Sequence, residues 1–125
     1  MIAQTSPLEA YRRVDFDARV AGADPAQLVM LCYEQLIASL GSALFAAERG
    51  DNALKSQSLT RALAALTALR LGVSGTGGIA PALLQMFEAA RKAVLDSVLA
   101  FDPRTIGLIR QDFIEISRAM LRSPN

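Results

Sequence analysis

Residues 23–50 read ADPAQLVMLCYEQLIASLGSALFAAERG, and the character of this stretch decides the fold. It opens with a helix start: Asp24 as N-cap, Pro25 at the first helical position and Gln27 three residues after the cap. It closes at Gly50, where glycine takes the left-handed cap at little steric cost. Between these marks the polar residues Gln27, Glu34, Gln35, Ser42, Glu48 and Arg49 recur about every seven positions, which confines them to one narrow helical stripe. Leu31 and Phe45 fall on that same stripe. So little polar surface means that the helix is wrapped by its own domain or meets a partner.

Working outward, a chain of 125 residues sets the scale of a single domain over 1–125, able to bury roughly two thirds of its unfolded surface in one core. The apolar fraction of 52% is high, yet no apolar run is expected to reach the ~20 residues of a bilayer span, because Glu34 and Gln35 interrupt the richest segment. The start Met1–Ile2–Ala3–Gln4–Thr5 lacks the basic and apolar regions of a signal peptide, so a cytoplasmic protein is expected, with no membrane insertion. A net charge of +1 with interspersed signs offers nucleic acid no basic field. The single Cys32 reads as a buried thiol. Histidine is absent, which removes imidazole bases, Ser/His/Asp triads and Glu-x-x-His metal sites. No catalytic, cofactor or metal site is expected, and the protein is not expected to be an enzyme.

In chain order, Ser6–Pro7–Leu8–Glu9 forms a capping box that starts a short helix, with Leu8, Ala10, Tyr11 and Val14 able to share a face. Residues 1–23 therefore form a strap, either structural or a detachable cover. The link Gly50–Asp51 forces the next helix to run antiparallel. That helix, about Asn52 to Leu71, aligns Leu59, Leu63, Leu66 and Leu69. GVSGTGG at 72–78 is a loop without the spacing or preceding strand of a phosphate cradle. A helix from Ala80–Pro81 to Ala100 has Leu83, Phe87, Ala90, Val94 and Val98 as its inner row, with Leu84, Leu95 and Leu99 beside it. Asp102–Pro103 starts the last helix, whose row is Ile106, Ile109, Phe113, Ile116 and Met120, with Arg110, Asp112, Glu115 and Arg118 read as solvated. Ser123–Pro124–Asn125 ends it. The expected fold is all-α: an antiparallel up-down four-helix bundle over 24–122 with a short additional N-terminal helix.

Four helices of ~20 residues close a core with one apolar stripe each, and the helix from Pro25 offers more than a stripe. Leu31, Ala38 and Phe45 lie along its nominally polar line, with Gly41 and Ser42 beside it, small enough to admit another backbone. Either the N-terminal helix covers Leu31, or this surface is a groove for an amphipathic helix from another protein.

The order Tyr11, Val14, Asp24–Pro25, Leu28, Leu31, Tyr33–Glu34 and Gly50–Asp51 resembles the bacterial flagellar secretion chaperone family FliS. The resemblance resumes at Gly77–Gly78–Ile79–Ala80, Leu83 and Met86–Phe87–Glu88, and covers nearly the whole chain. Cys32 stands where the family usually has leucine, Phe87 and Ala89 where it has tyrosines, and Met120 where it has tryptophan. These exchanges roughly keep the apolar volume and remove hydrogen-bonding handles.

The resemblance implies a cytoplasmic, non-enzymatic export chaperone. It would bind the C-terminal helical segment of flagellin through apolar grooves, prevent premature polymerisation, and assist delivery to the flagellar type III export apparatus. Its N-terminal segment, with Tyr11, would shield part of the binding surface. The candidate client-binding residues are Tyr11, Leu28, Leu31, Tyr33, Phe45, Leu63, Leu66, Leu84 and Phe87. The protein would be a monomer or homodimer. The rival reading is a homo-oligomeric helical module without a flagellin client, its surplus surface being its own interface.

Overall fold

The computed structural model describes residues 7–22, 24–73 and 77–122. These form five helices: α1 Pro7–Ala21, α2 Pro25–Glu48, α3 Asn52–Gly72, α4 Ala80–Leu99 and α5 Pro103–Arg122. No strand occurs among the described residues. Ser6 of the N-terminal capping box, residues 74–76 of the glycine-rich loop and the final Ser123–Pro124–Asn125 lie outside them.

The boundaries follow from the local chemistry. At the start of α2 the Gln27 amide donates to Asp24 Oδ1 at 2.8 Å, and the Asp24 amide donates to Gln27 Oε1 at 2.9 Å, a complete capping box. At its end Gly50 takes φ 70°, which lets the Asp51 amide reach the Ala46 carbonyl at 2.9 Å and the Gly50 amide reach that of Ala47 at 3.2 Å. These two bonds satisfy carbonyls that the helix end leaves open. Asp51 then caps α3 by accepting from the Leu54 amide at 3.0 Å. Asp102 caps α5: Oδ1 accepts from the Arg104 amide and Oδ2 from the Thr105 hydroxyl, at 3.1 and 2.7 Å.

α2 packs against α3 and α5, α3 against α4, and α4 more lightly against α5, so these four helices close a ring. The α2–α3 seam is the most extensive. Small residues line it: Ala43, Ala46 and Ala62 are fully buried, and the fully buried Ser58 donates its hydroxyl to Ser42 at 2.9 Å. Leu36, Leu40, Leu59, Leu66, Val94, Ile106 and Phe113 fill the interior. Tyr33, Phe87 and Phe113, from α2, α4 and α5, meet with ring centroids 6.1–6.4 Å apart. Aromatic pairs at this spacing add to the area they bury.

Several expectations are corrected by this packing. α2 is long and apolar enough to cross a membrane, with a window of mean hydropathy 1.6, although no such run was expected from the sequence. The reason for its composition lies in its position, since it carries Leu36, Leu40, Ala43 and Ala46 into the centre of the ring. On α4, Ser97 turns inward and Val98 is half exposed, so the inner row runs Ala80, Phe87, Ala90, Val94 and Ser97. Met120, at the end of the α5 row, is exposed. Arg110 is not solvated surface. Its Nε donates to the Ile37 carbonyl at 3.2 Å, and a Cβ on Gly41 would stand 2.9 Å from that nitrogen. Gly41 thus admits an arginine side chain from α5 rather than another backbone.

Hydrogen bonding, led by the Thr105 hydroxyl, holds the Asp102 carboxyl below its usual range. A carboxyl depressed in the folded state contributes stability above its unfolded pKa and loses it as pH falls through the folded one. Thr105→Val should therefore lower the thermal midpoint at neutral pH, and the deficit should shrink in acid as Asp102 protonates. Thermal melts between neutral and strongly acidic pH check this.

Candidate functional site

α1 stands apart from the ring. One link from α1 to α2 is Arg19, whose Nη2 donates to both carboxylate oxygens of Glu34 at 3.1 and 3.2 Å. Both side chains are about half exposed, at 48% and 55%, and such pairs contribute about 0–1 kcal/mol. Beneath α1 lies a cavity of about 800 Å³, with Ala38, Phe45, Leu54 and Arg61 on the α2–α3 side and Leu8, Phe16 and Asp17 on the α1 side. Phe16 is the one described side chain of α1 that is not exposed. Tyr11 is 72% exposed and Val14 is likewise outside, so of the face expected to dock Leu8 alone lines the cavity. Leu8 and Phe16 line the cavity because they and Arg19 share one side of the helix, which the ion pair turns toward α2.

A second concavity, of about 510 Å³, opens at the end where α2 and α4 begin and α3 and α5 finish. Its lining is almost wholly apolar: Val29, Tyr33, Leu69, Leu83, Phe87 and Ile116 are among its walls. Burial in this region raises the Tyr33 phenol above its ordinary pKa. A third, of about 270 Å³, follows the light α4–α5 seam, where Ala89, Ala93, Leu108 and Ile109 meet. Between α3 and α4 the surface is instead bridged by Arg70 of α3 donating to Glu88 of α4 at 3.1 Å, and Arg91, on α4 itself, also donates to Glu88 at 2.8 Å. The hydrogen bond from Arg91 leads in holding the Glu88 carboxyl low. The surface thus offers apolar grooves along and across helices. No group of His, Cys, Asp and Glu able to hold a metal occurs among the described residues. Burial also raises the Cys32 thiol, which keeps it from acting as a ready nucleophile.

A family model described as flagellar protein FliS matches residues 7–119. The chain belongs to the FliS family. A comparison with curated proteins gave no match. Membership makes the chain part of a family of flagellar export chaperones acting in flagellum assembly.

In this FliS family member the nine residues expected to meet a client fall into separate groups. Tyr33 and Phe87 belong to the aromatic core and form walls of the end concavity. Leu66 is fully buried between helices and has no surface to offer. Leu31, expected on a polar stripe, is only 5% exposed. It lies one turn before Glu34, the residue that anchors α1, and outside the contiguous core cluster. Leu28 and Leu63 are half-buried, and Tyr11, Phe45 and Leu84 are exposed. Phe45 alone of the nine lines the cavity under α1, with the Arg49 guanidinium 5.1 Å above its ring. Sequence reasoning missed Phe16 and Arg61 as lining residues of that cavity, and Ile79 and Met120 at the end concavity. The spacing of Phe16 eight residues after Leu8 was the available signal for the α1 face.

Leu31 and Phe45 should consequently separate on mutation. Leu31→Asp buries a charge and should lower stability by several kcal/mol, roughly 3 or more. Phe45→Asp, at a side chain 53% exposed, should change it by less than about 1 kcal/mol. Urea unfolding of both variants measures the difference.

Proposed function

We propose that this FliS family member is a cytosolic export chaperone that binds the C-terminal helical segment of flagellin. Binding keeps the subunit from polymerising early and presents it to the flagellar export apparatus. No catalysis and no cofactor take part. In this reading α2–α5 are an antiparallel up-down four-helix bundle, and its apolar grooves are the binding surface. Phe45, Leu28, Leu63 and Leu84 supply side contacts, and Tyr33 and Phe87 floor the end concavity.

The observation that carries the reading is the seat of α1. A helix whose Arg19–Glu34 pair is half exposed, and which leaves a cavity of about 800 Å³ beneath it, fills the surface it covers incompletely. A longer amphipathic segment that fills the volume with apolar side chains gains what α1 leaves unused. A flagellin segment that folds as it binds loses conformational entropy and offsets it with apolar contact along the helices.

Calorimetry with the cognate flagellin, full length and lacking its C-terminal helix, tests this directly. The full-length protein should bind with a large negative heat-capacity change and only weak dependence on salt. The truncated form should not bind. Binding that survives the truncation contradicts the assignment of the C-terminal segment.

A further inference from the structure

The light α4–α5 seam carries a knob and a groove side by side. Met86, Ala89 and Ala93 of α4 and Ile109 of α5 line a groove of about 270 Å³, with the buried Ala90 and Phe113 behind them. Leu108 stands on the α5 side of this groove and is 58% exposed. A surface that holds a projecting leucine next to an apolar groove can pack against a second copy of itself, each leucine entering the other groove.

The charges on α5 follow the same symmetry. Arg104, Leu108 and Asp112 are all exposed and recur every four residues, so they share one face of the helix. Arg104 lies about 6 Å before Leu108 along the axis and Asp112 about 6 Å after it. Among the described residues Asp112 has no ion-pair partner, and Arg104 acts on Asp102 electrostatically without forming an ion pair with it. Two α5 helices laid antiparallel about Leu108 set each Arg104 against Asp112 of the other copy, twice. A parallel arrangement would oppose like charges, so the pattern selects the two-fold one.

We infer that the α4–α5 face is the interface of a homodimer, with a two-fold axis beside Leu108 and the Arg104–Asp112 pairs on either side of it. Leu108 and the groove supply the apolar centre, and the paired charges fix the register and direction of the two helices. The seam shares no lining residue with the cavity under α1 or with the end concavity, so the inference does not rest on the flagellin reading. A small apolar centre with an exposed charged rim makes a weak pair whose population follows concentration and falls with added salt.

Sedimentation equilibrium of the full chain, without any client, tests this. The mass should rise with concentration from one chain toward two. Arg104→Asp and Asp112→Arg each set like charges against each other and should weaken self-association by about tenfold or more. Mixed in equal amounts, the two variants should pair with one another to within about threefold of the original affinity, because each then meets opposite charges. The double variant Arg104→Asp/Asp112→Arg restores both pairs within one chain and should self-associate as the original does, which carries the comparison if a single variant does not fold. A mass of one chain at every concentration up to about 1 mM overturns the inference. So does self-association that the single reversals leave unchanged, or a loss that neither mixing nor the double exchange recovers.

Discussion

The face of α2 that carries Leu36, Leu40, Ala43 and Ala46 has no exposed surface at all, and everything else in the molecule is arranged around it. Two features allow that face to be covered so fully. Small side chains line the α2–α3 seam, so the two helices come close, and the turn at Gly50 returns the chain at once into α3. Arg110 reaching over Gly41 to the Ile37 carbonyl locks α5 to the other flank. Each fully buried leucine contributes about 1.5–3 kcal/mol relative to exposure, so Leu36 and Leu40 make the α2 face a large contributor to the stability of the ring.

A helix used in this way cannot also present its buried face to a partner. What remains for function is the ring's outer surface: the cavity under α1, the open end beside Tyr33 and Phe87, and the light α4–α5 seam. All three arise where helices fail to close on one another, so they come with the architecture rather than in spite of it. α1 lies over the largest of these surfaces and contributes little to the ring. The core cluster of described residues draws none of its members from α1.

The caps were the most legible part of the sequence. Asp24 with Gln27, Asp51 and Asp102 each mark a helix start by a bond that a short polar side chain makes, and Gly50 marks a helix end by the positive φ that glycine takes at little cost. The α5 row was legible because it has one apolar side; Ile106 and Phe113 are buried as the spacing requires. On α4 the row Leu83, Phe87, Ala90 and Val94 was legible and only its last place was misread, Ser97 rather than Val98 turning inward. α1 has apolar residues on two sides; an ion pair from Arg19 to Glu34 turned Phe16 inward and Tyr11 outward. Of the site, Phe45 was legible as an apolar residue on a polar stripe, while Leu31 on that stripe proved buried. Arg61 was not legible. An arginine on an alanine-rich helix looks like solvated surface until the fold places it among the walls of a cavity.

The claim on which the account stands is that the ring is stable without α1. Hydrogen–deuterium exchange of the full chain, resolved by segment, measures this most directly. The amides of α1, Pro7–Ala21, should exchange orders of magnitude faster than those of the α2 segment around Leu36 to Ala46. Protection of α1 equal to that of α2, with both segments opening together, would contradict it.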